Sequence, residues 1–103
     1  MGNFITIAKT TDIPVGKALS VSVESKAIAV FNIEGKYFAI SDECTHAGGN
    51  LSEGEVKGTT VTCPWHGAQF DVTTGSVLSA PAFDNVPSYS LRVIKDEIQI
   101  GIS

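Results

Sequence analysis

Both cysteines and both histidines of this 103-residue chain fall in two short segments, Cys44-Thr-His46 and Cys63-Pro-Trp-His66. No other feature constrains the fold as tightly. Four metal-ligating side chains have to meet although sixteen residues, 47–62, separate the two segments. Each segment joins one thiolate to one imidazole. A mononuclear zinc site can use these ligand types, but zinc fingers usually pair Cys with Cys and His with His along the chain. One Cys and one His on each arm suit a site of two metal atoms, one holding both thiolates and the other both imidazoles. A disulfide between the cysteines would leave the adjacent histidines unexplained, and a reducing compartment disfavours it.

The rest of the chain reads as β structure. Leu19, Val21 and Val23 alternate with Ser20, Ser22 and Glu24, the period of a half-buried strand. Residues 27–33 and 36–40 are β-rich and flank Glu34-Gly35, a tight hairpin turn. Val56 and the run 59–62 flank a second turn at Lys57-Gly58, and 70–72 and 76–78 flank a third at Thr73-Thr74-Gly75. The C-terminal part predicts a strand over 88–94, a turn at 95–97 and alternating Ile98, Ile100 and Ile102. No stretch keeps a helical period, and there are no internal repeats. The second hairpin spans most of 47–62, so its strands return the chain to near its starting point and make the two ligand segments neighbours.

The stretches Cys44-Thr-His-Ala-Gly-Gly and Cys63-Pro-Trp-His-Gly-Ala-Gln-Phe-Asp closely resemble the two cluster-binding loops of the Rieske family. In a Rieske centre two histidines replace two cysteines on one iron of a [2Fe–2S] cluster. The resemblance implies one such cluster, with Cys44 and Cys63 on the inner iron and His46 and His66 on the outer one. It implies an all-β Rieske fold in a single domain. An antiparallel β-sandwich base (1–41 and 85–103) would carry an inserted cluster-binding subdomain (42–84). Gly48, Gly49 and Gly67 would let backbone N–H groups approach the sulfides. Ser79-Ala-Pro-Ala-Phe83 resembles the family's proline-containing cover, and Trp65 either packs over the sheet or shields the cluster.

Departures from the high-potential branch of the family are informative. Its loop-linking cysteines correspond to Gly49 and Trp65, and its hydroxyl donors, a serine and a tyrosine, correspond to Ala68 and Phe70. The charges of two ferric ions, two sulfides and two thiolates cancel, so adding an electron costs less than in a four-thiolate cluster. Without the hydroxyl donors the potential should still lie towards the negative end of the Rieske range of about −150 to +300 mV.

Composition narrows the function. The chain is 43% hydrophobic and 17% charged, without an apolar run long enough to span a membrane and without a signal-peptide pattern. A cytoplasmic monomer is expected. The net charge of −4 is uneven. Residues 42–84 hold Asp42, Glu43, Glu53, Glu55, Asp71 and Asp84 against Lys57, a balance of −5, and the remainder balances at +1. Nucleic acid is therefore an unsuitable partner, while a basic protein surface is a suitable one. Both histidines are committed, so no mononuclear iron site is available, and no Gly-x-Gly-x-x-Gly segment for a dinucleotide occurs. The chain reads as an electron carrier and not as an enzyme. The resemblance is to ferredoxin components of bacterial aromatic ring-hydroxylating dioxygenase systems. It implies two partners, a flavin-dependent ferredoxin reductase using NAD(P)H and a terminal Rieske non-haem iron oxygenase. The alternatives are a small Rieske subunit of a nitrite reductase or monooxygenase system, and a structural zinc-binding interaction module.

Overall fold

The computed structural model describes residues 3–42, 50–64, 67–79 and 85–102. Strand β1 (Asn3–Lys9) leads through a 3-10 turn at Thr10–Asp12 into the hairpin pair β2 (Ala18–Val23) and β3 (Lys26–Ile33), and then β4 (Lys36–Ser41). A second 3-10 turn, Leu51–Glu53, precedes β5 (Glu55–Lys57), β6 (Thr60–Thr62), β7 (Gln69–Asp71) and β8 (Val77–Ser79). The chain finishes with β9 (Ser88–Tyr89), β10 (Leu91–Ile94) and β11 (Glu97–Ile102). Three antiparallel sheets result, in the orders β1-β11-β10, β2-β3-β4-β9 and β5-β6-β7-β8. The all-β reading of the sequence holds, and no helix among the described residues is long and apolar enough to cross a membrane.

Local backbone chemistry explains the hairpins and where they depart from expectation. Glu34 and Gly35 take φ +54° and +91°, the left-handed pair that a two-residue turn between twisted strands requires. Glu24 and Ser25 do the same at +49° and +69°, so β2 stops at Val23 and Glu24 belongs to a turn rather than to the strand. The second hairpin turns at Gly58-Thr59, one residue later than the sequence predicts, with Lys57 opposite Thr60 and Val56 opposite Val61. That register puts Gly58, φ +58°, first of the two central residues, where its freedom from Cβ is needed. The single strand expected over 88–94 is divided. β9 pairs with Ala39 and Ile40 of β4, while β10 pairs with β11. Between them the Ser90 carbonyl accepts the Gly101 N–H at 2.8 Å, so the chain passes from one sheet to another there.

Strand β3, in the interior of the middle sheet, is buried on both faces. Ile28 and Val30 of β3 pack with Ala39, Ile13, Ile98 and Ile100, towards the β1-β11-β10 sheet. Ala29 and Phe31, facing the other way, pack with Ile40, Leu51, Val61, Ala68, Phe70 and Val72, towards the β5–β8 sheet. A strand covered on both sides needs a continuous apolar run, and Ile28-Ala-Val-Phe31 supplies it. Phe31→Ala should cost about 3–5 kcal/mol by deleting a fully buried ring that joins two sheets. Urea unfolding measures this, and a loss below ~1 kcal/mol would show that this face carries little of the fold.

Candidate metal centre

One end of the β5–β8 sheet adjoins described residues that flank the candidate ligand segments. Glu55, Thr62, Gln69 and Ser79 lie side by side there, paired in that order across the four strands. The chain enters this end through residues 50–54, leaves and re-enters it through 63–68, and leaves it again after Ser79. Cys44, His46 and His66, with Gly48, Gly49, Trp65 and the 80–83 stretch, lie outside the described residues.

Cys63 is described, and its surroundings are specific. It extends the β6–β7 ladder by one step, its N–H donating to the Ala68 carbonyl at 2.7 Å. Its own carbonyl accepts the Gly67 N–H at 3.2 Å, which closes the loop at a glycine with φ +79°. Only four residues link the hydrogen-bonded pair Cys63 and Ala68. The thiol is free and 2% exposed. It packs in the apolar cluster that contains Leu51, Val61, Ala68 and Phe70. A disulfide is thus excluded, and Ala68 and Phe70 bring no hydroxyl to the cysteine's side of the hairpin.

The flanks of the first ligand segment are tied to this hairpin. The Asp42 carbonyl accepts the Leu51 N–H at 2.6 Å, closing the chain on either side of 43–50. Leu51 is fully buried in the same cluster as Cys63. Gly54 sits so close to β6 that a Cβ there would collide with the Thr62 carbonyl oxygen. A third tie holds the far flank of 80–84. The Val86 N–H donates to the Gly75 carbonyl at 2.8 Å, and Asn85 Oδ1 accepts the Val77 N–H at 2.8 Å.

The acidic patch expected from the sequence is reduced. Asp42 is only 1% exposed and does not belong to the surface. The Asp71 carboxylate accepts the N–H and hydroxyl of Thr73 in a local turn. Glu55 pairs with Lys57, the one base already counted in the balance of −5, at 3.5 Å on open surface, an arrangement worth little energy. Glu53 accepts from Asn50 Nδ2 at 2.9 Å. Glu43 and Asp84 lie outside the described residues.

Residues 3–90 match the family model for the Rieske [2Fe-2S] domain. The chain belongs to that family. It is 36% identical over 92 residues to the ferredoxin component of the naphthalene 1,2-dioxygenase system of Pseudomonas aeruginosa, covering 89% of this chain and 88% of the relative. It is 38% identical over 101 residues to the 3-phenylpropionate/cinnamic acid dioxygenase ferredoxin subunit of Escherichia coli K12, covering 97% and 94%. Among solved structures, the ferredoxin of carbazole 1,9a-dioxygenase from Nocardioides aromaticivorans IC177 superposes with a TM-score of 0.91 at 26% identity, covering 95% of this chain and 96% of the other. The ferredoxin in a complex of reduced oxygenase and oxidized ferredoxin of carbazole 1,9a-dioxygenase gives 0.89 at 28% identity, covering 95% and 92%.

The Rieske cofactor is one [2Fe–2S] cluster, and the described residues suit it. A buried free thiol in apolar packing, on a tight hairpin with a left-handed glycine, is the setting in which a thiolate ligand is shielded from water and backbone N–H groups can turn inward. Gly54→Ala should pry the flank of the first segment from β6. It should cost roughly 1–3 kcal/mol, as overpacking does, and lower the iron bound per purified chain. Wild-type iron content together with wild-type stability would show that the two flanks tolerate separation.

Proposed function

We propose that this protein is the low-potential Rieske ferredoxin of an aromatic ring-hydroxylating dioxygenase system. It takes single electrons from an NAD(P)H-dependent flavin reductase and passes them to the terminal oxygenase. The observation that carries this reading is near-full-length identity of 36–38% to two ferredoxin components of such systems. Coverage of about nine-tenths or more on both sides leaves no room in those relatives for an extra catalytic domain. A cytoplasmic monomer, with a base of 1–41 and 85–103 and a cluster-binding subdomain of 42–84, completes the reading.

Cys44 and Cys63 would hold the inner iron, and His46 and His66 the outer one. The cluster, when bound, supplies a site that accepts and releases one electron at a time. The protein's own contribution is to shield the thiolate side and leave the imidazole side open to partners. Burial of Cys63 among Leu51, Ala68 and Phe70 supports the first half of that assignment. His46→Ala or His66→Ala should abolish the Rieske electron paramagnetic resonance signal of the dithionite-reduced protein, because the chain has no third imidazole. A His66→Ala protein with the wild-type signal and full electron transfer to the oxygenase would sink the ligand assignment.

Ala68 and Phe70 are both fully buried and offer no hydrogen-bond donor from their side chains. Added negative charge on the cluster would be correspondingly less stabilised, so the midpoint potential should fall towards the negative end of the range of about −150 to +300 mV. Redox titration at neutral pH checks this. A midpoint well above zero would contradict the low-potential reading while leaving the ligand set intact.

A further inference from the structure

Asp42 uses every polar group it has. Its N–H donates to the Ala27 carbonyl at 2.9 Å, and its carbonyl accepts from Leu51 N–H at 2.6 Å. Carboxylate Oδ1 accepts the Ser52 N–H at 2.7 Å, and Oδ2 accepts the Ser20 hydroxyl at 2.7 Å. The residue is 1% exposed. Burying a carboxylate is costly unless its oxygens are paired, so these bonds are a condition of its being there. They join three parts of the chain. Ser20 is on β2, Ala27 is on β3, and Leu51 and Ser52 form the 3-10 turn that follows the first ligand segment.

We propose that Asp42 is a positioning residue for the cluster, a clasp that fixes both ends of segment 43–50 to each other and to the middle sheet. Cys44 is two residues downstream, so its thiolate starts from an anchored backbone within about 7 Å along the chain. The other end is anchored through Leu51, which packs in the same buried cluster as Cys63. The clasp thereby sets the separation of the two ligand segments. Neither Ser20 nor Ser52 resembles a metal ligand, and both Asp42 carboxylate oxygens are engaged by protein donors, Oδ1 by the Ser52 N–H and Oδ2 by the Ser20 hydroxyl. Its action is exerted through the loop.

Three variants of the cluster-loaded protein test this. Asp42→Ala leaves the Ser52 N–H and the Ser20 hydroxyl without their partner. It should lose its visible absorbance to an iron chelator about tenfold faster than wild type, at a urea concentration far below unfolding. It should also shift or broaden the resonance spectrum of the reduced cluster. Asp42→Asn should restore both properties, since its amide oxygen can accept from Ser52 and its amide nitrogen can donate to Ser20 Oγ. Ser20→Ala removes one bond at a position on an edge strand and should give an intermediate bleaching rate. Unfolding midpoints are measured alongside. A lower midpoint for Asp42→Ala with an unchanged spectrum and bleaching rate would reduce Asp42 to a role in general stability. Failure of Asp42→Asn to rescue would assign the effect to charge and overturn the clasp. Should Asp42→Ala not load, a wild-type bleaching rate in Ser20→Ala would overturn it equally. The inference rests on Cys44 and His46 being ligands. The two failures are separable, because a wrong ligand set leaves His46→Ala with a Rieske signal, whereas a wrong clasp leaves only the Asp42 and Ser20 variants like wild type.

Discussion

Strand β3 sets the conditions for everything packed around it. From Ile28 to Asn32 every residue is buried, and the backbone of a strand so enclosed has to be hydrogen-bonded within the protein, at Asn32 to Lys17 and Gly16 just ahead of β2. β2 and β4 satisfy it on either edge, with uninterrupted registers from Ala18 opposite Phe31 and from Ile28 opposite Ser41. The two faces are then free to organise two separate cores. The single polar member, Asn32, is accommodated without loss. Its amide donates to the Ile13 carbonyl at 2.7 Å and its Oδ1 accepts the Gly35 N–H at 2.8 Å. One side chain thus holds both the loop ahead of β2 and the turn after β3.

Burial of β3 on two faces also explains how a sheet of very short strands is held in place. The β5–β8 sheet has strands of only three residues, too short to be stable in isolation. Phe70 and Val61, directly opposite each other in the β6–β7 pair, reach into the cluster that includes Phe31 and Ile40. The short strands therefore gain their rigidity from β3 and β4. Cys63 is one residue beyond the end of β6 and inherits that rigidity.

Several of these features were legible in the sequence for physical reasons. The Glu34-Gly35 turn stands out because a glycine follows a β-rich run and precedes another. The hairpin of β5 and β6 between the two candidate ligand segments is legible because β-rich residues stand on either side of Gly58. Other features leave no local mark. Glu24 and Ser25 adopt left-handed conformations without a glycine to announce them, and strand alternation runs through Glu24 undisturbed. The sheet change at Ser90 is equally silent, because residues on both sides of it are ordinary strand formers. Asp42 is the most instructive case. An acid beside another acid, Glu43, reads as surface charge, and its buried partners come from Ser20 and Ser52, twenty-two and ten residues away. Such a clasp becomes visible only when β2 and the 3-10 turn are brought together in space.

The pairing of β1 with β11 has a consequence in time. Asn3 lies opposite Ile102, so the first and last described strands of the chain are neighbours in one sheet. During synthesis β11 emerges after the other described strands, and Ile98 and Ile100, which pack with Ile28 and Val30, are missing until then. Most of the opposite core, apart from Val77 and Val86, has emerged by the end of β7. Growth of the chain thus imposes an order on its two cores. Most of the side that bears Cys63 can assemble while the far side, already holding Ala8, Ile13, Val23 and Ala39, still lacks Ile98 and Ile100, and the pairing of β1 with β11 closes the longest loop among the described strands.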